Sequence, residues 1–411
     1  MSQRAASQPI AEDETSPGRT QRVALLTNWL PPYRLPVYRD LDATPGWQLR
    51  ILVGSQAAAG WERAYAGAHA RGRQTLDVET LRSWSLQRRV SVHAEGDASQ
   101  PLELQLPFGA LGGLARFRPD VVVSSELGAR TALAALYALA RRIPLVIWSY
   151  QSRAWSATAG PLRRAWRRAL LARADAVVGM GVQARSVLRD LGVPDARIFD
   201  APNAHDHAGL LDALARSDAA ARRAALGCRA RVALVAGRLV AAKGLRPLLA
   251  AWRALAPELR RDWTLLVVGD GPLRGELEAA AARAQPGAIV CAGAVAAAEM
   301  AEVYACADLL VFPSLGDPWG LVVNEALACG VPVLCSELAG CADDVIRDGE
   351  NGWRFDPRSP AAFSAALAGA LTCAELPAMG ARARDAARRF TPEQMAAGLR
   401  RAIEHALRLS A

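Results

Sequence analysis

Four short segments in the second half of the chain gather residue types suited to holding a charged, hydroxyl-rich ligand. The first is Gly237-Arg238-Leu239-Val240-Ala241-Ala242-Lys243-Gly244. Its first glycine, Gly237, permits close approach, and two cations five residues apart around a helix start can grip a diphosphate, arginine as a fork and lysine as a point charge. Lys243 is the sole lysine among 49 basic residues, so it stands against a strong bias toward arginine. Gly269-Asp270-Gly271-Pro272 is the second segment, a tight turn ahead of a helix beginning near Leu273. The third runs from Pro313 through Asp317-Pro318-Trp319-Gly320 to Glu325-Ala326. Asp317 precedes a helix starting near Gly320, and Glu325 lies about a turn and a half inside it. Two carboxylates so spaced can flank one ligand; they repel phosphate, so sugar hydroxyls suit them. Free N–H groups of Gly320, Leu321 and Val322 would point out of the first turn, where the helix dipole favours an anion. The fourth segment, Ser336 to Val345 with Gly340, is a small-residue loop followed by the turn Asp348-Gly349-Glu350-Asn351-Gly352. Singly, each of these charges reads as helix capping or a solvated surface. Glu325 is harder to dismiss, because it sits amid Val322, Val323, Ala326 and Leu327, where an idle carboxylate is costly.

These segments need strands to place them. Apolar runs at Val23–Thr27, Leu49–Val53, Asp120–Ser124, Pro144–Trp148 and Ala176–Gly179 alternate with Ala/Leu/Arg-rich stretches of helical spacing. The alternation restarts with Arg231–Ala236, Thr264–Val268, Ala288–Cys291, Leu309–Pro313 and Val331–Cys335. Arg197–Asp218 holds the last strand of the first half and the crossing to the second. The expected fold class is therefore α/β, with two doubly wound parallel-sheet lobes. Ligands of such sheets bind beyond the carboxyl ends of the strands, which implies an interlobe cleft. The expected division is a disordered lead-in at 1–20, an acceptor lobe at 21–203, a donor-binding lobe at 204–390, and a C-terminal helix at 391–411 packing back toward the first lobe.

In this order and register the four segments resemble the retaining glycosyltransferases of family 4, whose fold is GT-B, two Rossmann-like lobes. The pattern G-R-L-x(4)-K-G, G-x-G-P, an acid pair at E-x(7)-E spacing, a Gly-rich loop and D-G-x-N-G can be followed through the whole second lobe. The resemblance implies that Arg238 and Lys243 hold the donor diphosphate, that Asp317 touches the donor sugar and that Glu325 touches the ribose of the nucleotide. It likewise implies donor contacts at Gly237, Gly269, Asp270, Gly271, Gly320, Leu321, Val322 and Gly340. Asp317 stands where Glu is usual, one methylene shorter, and Ala339-Gly340 replaces the commoner Gly-Gly. In the first lobe, Asn28-Trp29-Leu30-Pro31-Pro32-Tyr33-Arg34 resembles the Pro-Pro-Tyr-Arg opening of some members, which makes Pro32, Tyr33 and Arg34 acceptor-side candidates. A stiff Pro-Pro turn with a packed tyrosine accounts for that run equally well. Glu126 and Tyr150 occupy similar strand ends. Many relatives carry a histidine near the latter position; this chain does not, so no general base is assigned.

Composition narrows the partners. With 52% hydrophobic and 22% charged residues the 411-residue chain is globular. Its net charge of +9 falls entirely in residues 1–200, which hold 26 basic and 17 acidic groups; the remainder holds 23 of each. One lobe thus faces something anionic. Arg163, Arg164, Arg167 and Arg168, with Trp155, Trp166, Leu170 and Leu171, suggest over 161–172 a basic amphipathic helix able to lie on an anionic membrane. A solvated charged face competes with that reading. Nucleic acid is disfavoured, since no recognised motif accompanies the charge. No apolar run reaches the ~20 residues of a membrane span, and the N-terminus lacks the apolar segment of a secretory signal. Seven cysteines without a CxxC pair read as reduced and mostly buried, and His205-Asp206-His207 is weak as a metal motif.

The resemblance implies transfer of a sugar, with retention of configuration and without a metal, from a UDP-, GDP- or dTDP-sugar to a saccharide or lipid-linked acceptor. No cofactor would be permanently bound. The setting would be polysaccharide, lipopolysaccharide or glycolipid synthesis, in the cytoplasm or peripherally on the inner face of the cytoplasmic membrane. A sugar-nucleotide 2-epimerase of similar two-lobed fold is the alternative; it would need acid/base groups in the cleft that the sequence does not locate, whereas the Arg-Lys and acid-pair pattern fits transfer. A non-catalytic basic adaptor is a third reading.

Overall fold

The computed structural model describes residues 19–54, 76–91, 99–285 and 288–410. Residues 1–18 of the proposed lead-in lie outside them. Strands β1 (Gln21–Thr27), β2 (Trp47–Val53), β3 (Val78–Thr80), β6 (Val121–Ser125), β7 (Leu145–Ser149), β8 (Ala176–Gly179) and β9 (Ile198–Asp200) form one sheet in the order β3-β2-β1-β6-β7-β8-β9. All its pairings are parallel. A second parallel sheet has the order β12-β11-β10-β13-β14-β15, from β10 (Arg231–Ala236), β11 (Trp263–Val268), β12 (Ile289–Gly293), β13 (Leu309–Phe312), β14 (Val333–Ser336) and β15 (Gly352–Phe355). Each central strand is buried on both faces, which is why the sequence shows unbroken apolar runs rather than alternation.

Side-chain alternation divides each sheet between two cores. On β1, Val23 and Leu25 enter one cluster and Ala24 and Leu26 the other. On β10, Val232 and Leu234 pack to one side and Ala233 and Val235 to the other. The predicted strands all form. Three features differ from expectation: β3 extends the first sheet by an edge strand, β4 (Trp84–Ser91) pairs with β5 (Ser99–Leu106) as an antiparallel ribbon, and the Asp348–Gly352 turn leads straight into β15.

The last helix, Pro392–Ser410, returns to the first lobe. Met395, Ala396, Leu399, Ala402, Ile403 and Ala406 recur at helical spacing and are fully buried with Val37, Tyr38 and Leu41 of the Leu35–Asp42 helix. The carboxyl edges of the two sheets meet. Gln183 Nε2 of the first lobe donates to the carbonyls of Glu337 and Ala339 at 3.1 and 3.0 Å, and the Val182 N–H donates to Asp344 Oδ2 at 3.0 Å. Arg153 pairs with Asp343 at 3.1 Å, and Asn324 Nδ2 donates to the Asn203 carbonyl at 3.2 Å. Beside these contacts a cavity of about 560 Å³ opens between the lobes, lined by Arg153 and Ala157 on one side and Glu337, Leu338 and Arg354 on the other.

Candidate active site

In the second lobe the four sequence segments become four loops at the carboxyl edge of one sheet. After β10, the chain makes a short 3-10 turn, Ala241–Lys243, and ends it at Gly244 with φ of 68°. A Cβ at Gly244 would collide with the Pro313 carbonyl oxygen, so only glycine lets this turn press against the end of β13. That contact brings Lys243 to the third segment. Its ammonium forms an ion pair with the Asp317 carboxylate and lies 5.4 Å from the centre of the Phe312 ring. Asp317 also accepts from the Trp319 N–H at 3.0 Å, ahead of the Leu321–Ala328 helix. The sequence pointed to Lys243 only as a diphosphate contact; the structure adds a carboxylate partner, because the turn and the β13 loop are pressed together. Gly340 packs against the same loop: its N–H donates to the Asp317 carbonyl at 2.9 Å, and a Cβ there would strike the Pro318 carbonyl.

Glu325 is not idle. Its Oε2 accepts from the Tyr304 hydroxyl at 2.6 Å, and His205 Nε2 lies 3.2 Å from its Oε1. Tyr304 is fully buried, and burial beside the Glu325 carboxylate pushes its phenol well above the usual range, so it remains a donor. Neither partner was assigned this role from sequence. His205, read there only as a weak metal motif, lies on the crossing between lobes and meets Glu325; among the described residues no group of three or more metal-ligating side chains exists. Arg238 is exposed and without a side-chain partner among the described residues, free at the cleft end of β10. Asp270 is exposed as well, its Oδ1 accepting from the Gly271 N–H at 2.8 Å in a local turn. Gly237, Gly269, Gly271, Gly320, Leu321 and Val322 occupy the loop and helix-start positions expected of them.

Across the interface, the first-lobe candidates assemble at the ends of adjacent strands β1, β6 and β7. Arg34 is buried, and Pro32 and Tyr33 are half-buried. Arg34 Nη1 donates to the Tyr150 hydroxyl at 2.7 Å, and its guanidinium lies over the Trp148 and Tyr150 rings at 4.9 and 4.5 Å. Burial pushes the Tyr150 phenol up, so it stays protonated. Tyr150 packs against cores of both lobes. Glu126 accepts from Asn28 Nδ2 at 2.8 Å and pairs with Arg130 at 3.4 Å. Asn28 and Arg130 were not singled out as site residues, and nothing in their spacing marks them.

The basic helix forms over Pro161–Ala172, with one correction to its faces. Leu170 and Leu171 are buried in the first-lobe core, so the outward face carries Leu162, Trp166 and the arginines instead. The apolar residues at its C-terminal end serve packing because that end runs under the sheet toward β8.

Two Rossmann-like parallel-sheet lobes, meeting at their carboxyl edges around a cation and paired acids, define the GT-B class. The Glycosyl transferase 4-like domain model matches residues 32–204, and the Glycosyl transferases group 1 model matches residues 230–373. Together they cover both lobes, and the chain belongs to this family of GT-B, family-4-type glycosyltransferases. Among curated proteins, a D-inositol 3-phosphate glycosyltransferase of Segniliparus rotundus is 35% identical over 199 residues, 46% of this chain and 44% of that protein. A 2-deoxystreptamine glucosyltransferase of Streptomyces kanamyceticus is 37% identical over 110 residues, 26% of this chain and 28% of that protein. The matches therefore span less than half the length of these relatives. The Anabaena protein Alr3699/HepE, solved with UDP and glucose, superposes with a TM-score of 0.68 at 16% identity, covering 93% of this chain and 99% of that one. The lipopolysaccharide outer core galactosyltransferase WaaB superposes with a TM-score of 0.65 at 12% identity, with 93% and 99% covered. These two share the fold. The epimerase alternative has no support among the relatives named here.

Proposed function

We propose that this protein is a retaining glycosyltransferase that moves a hexosyl group from a nucleotide sugar to an acceptor entering from the first lobe. The observation that carries this reading is the second-lobe constellation: Lys243 drawn onto Asp317 at the head of the helix whose Glu325 is held by Tyr304 and His205. Donor diphosphate would draw on Lys243, Arg238 and the N–H groups that open the Leu321–Ala328 helix; Asp317 and Glu325 would accept hydrogen bonds from sugar and ribose hydroxyls. As the bond from anomeric carbon to diphosphate oxygen breaks, these cations meet the charge growing on the leaving group. The acceptor oxygen bonds to that carbon from the same side, and its proton passes to the departing phosphate. The positive charge is supplied by side chains, so turnover should survive a chelator.

UDP is the nucleotide to try first, because the HepE complexes contain UDP, UDP-glucose, or UDP with glucose. The relatives' names span acceptors as different as D-inositol 3-phosphate and 2-deoxystreptamine, so the acceptor has to be read from this chain's own first lobe. A role in polysaccharide, lipopolysaccharide or glycolipid assembly on the inner face of the cytoplasmic membrane fits the outward arginines of the Pro161–Ala172 helix with exposed Leu162 and Trp166. Among the described residues no single helix is long and apolar enough to cross a membrane.

The test is incubation with a panel of UDP-, GDP- and dTDP-sugars and a mixed acceptor pool, following release of nucleoside diphosphate and the anomeric signal of the product by NMR. Release with a retained anomer supports the proposal. An inverted anomer overturns the stereochemistry, and absence of release with every donor overturns the activity.

A further inference from the structure

Two guanidinium groups lie almost shielded from water at the carboxyl edge of the first sheet, and the one carboxylate beside them, Glu126, pairs with Arg130. Arg34 keeps 8% of its surface exposed and Arg130 4%. Arg34 forms no ion pair among the described residues; its neighbours include the Tyr150 hydroxyl and the rings of Tyr33, Trp148 and Tyr150. Ring faces and a hydroxyl attract a cation but do not neutralise it. Arg130 donates to the Asn28 side-chain oxygen and to the Ser125 carbonyl at 3.0 Å, and reaches the Glu126 carboxylate at 3.4 Å. The Nε atoms of both arginines are buried and have no hydrogen-bond partner among the described residues. Burying a charge is expensive unless it is matched, so the cluster holds one positive charge more than the described residues around it supply negative charge.

Its position suggests what matches that charge. Arg34 follows β1, Glu126 follows β6 and Tyr150 follows β7, three neighbouring strands, on the edge that meets the second lobe. Glu126 holds φ at 71°, rare for a residue with a side chain, and its carbonyl accepts from Thr131 Oγ1 at 2.7 Å. The Glu126 side chain is 42% exposed, so the cluster has an open side.

We propose that Arg34 and Arg130 form an acceptor subsite for a phosphate group, making the acceptor a phosphorylated saccharide or polyol rather than a neutral sugar. Guanidinium forks match phosphate oxygens in pairs, and a phosphate supplies the charge the cluster lacks. A neutral acceptor leaves the surplus unmatched. The inference rests on the donor reading above, which makes the first lobe the side of acceptor entry. The phosphate can belong to a soluble sugar ester or to the link between a saccharide and a lipid.

Inorganic phosphate is titrated calorimetrically into the protein with a nucleoside diphosphate held at saturation, so that the donor site is already filled. The wild type is expected to bind phosphate. Arg34→Gln and Arg130→Gln should each weaken it by about tenfold or more, with nucleotide binding retained. Glu126→Gln removes the opposing carboxylate and should tighten phosphate by about threefold or more. Because Glu126 is partly exposed, this variant decides the matter even where a buried arginine variant does not fold. Phosphate affinity unmoved or weakened by Glu126→Gln overturns the subsite. Displacement of phosphate by glucose 6-phosphate assigns a soluble ester, and displacement by phosphatidylcholine vesicles carrying a polyprenyl phosphate assigns a lipid link; displacement by neither overturns the proposal. If no nucleoside diphosphate binds, the donor reading fails separately, and the same titration without nucleotide still reports on Glu126, which follows a strand of the other sheet from Lys243.

Discussion

Lys243 and Glu325 show how differently two residues of one site can be read. Lys243 stands out by composition and spacing, but its pairing with Asp317 depends on a turn pressed against β13. A compact ammonium fits there, whereas a planar guanidinium is bulkier and forks differently. Lys243→Arg should therefore lower kcat/KM by about a hundredfold while circular dichroism and Tm stay near wild type; wild-type kinetics in that variant would mean that charge alone matters. Glu325 depends on Tyr304, whose hydroxyl donates to it at 2.6 Å. Tyr304→Phe keeps the ring and removes that bond, so nucleotide affinity should fall about fivefold, close to 1 kcal/mol. The motif residues were legible because chain-local spacing carries them. Tyr304 and His205 were not, since they reach Glu325 from a separate helix and from the interlobe crossing.

Among the elements, legibility follows burial. Central strands such as β6 and β13 are buried on both faces and appear as unbroken apolar runs. The edge strand β3 mixes half-buried and exposed positions over three residues, and β15 carries Trp353 and Arg354 between a turn and a loop, so neither shows a period strong enough to read. Pairing of β4 with β5 adds a ribbon outside both sheets, which no strand–helix alternation signals. Loops at the site are held by backbone contact rather than by side chains. Gly244→Ala would force a methyl group into the Pro313 carbonyl at a positive φ. It should cost more than about 2 kcal/mol of stability and lower nucleotide affinity along with it, read by thermal unfolding with and without nucleotide. Retention of both would show that the turn can move away from β13 without harm.

For the whole molecule, part of the junction between the lobes titrates. Asp344 of the second lobe accepts from the Val182 N–H of the first, and burial raises its pKa from 3.8 to about 6. Between those values the folded protein keeps a proton that the unfolded chain gives up. Stability from this group is thus greatest below about pH 4 and is lost as pH rises through about 6. Asp344→Asn should raise Tm at about pH 8, by up to about 3 kcal/mol of stability, and change little near pH 4. Equal effects at both pH values would place the carboxylate outside this linkage. The uneven charge of the two halves was visible in composition, but its meaning was not: part of the first-lobe surplus is outward arginine on the Pro161–Ala172 helix, and part is buried at Arg34 and Arg130. Counting residues cannot separate a surface charge from an interior one.

The central claim is that the second lobe binds a nucleoside diphosphate through Lys243 and Glu325. Calorimetric titration of UDP, GDP and dTDP into the wild type and into Glu325→Ala tests it most directly. At least one nucleotide should bind the wild type with one site per chain, and its affinity should fall about tenfold or more in Glu325→Ala. Binding of equal strength in both proteins, or by no nucleotide at all, would contradict it.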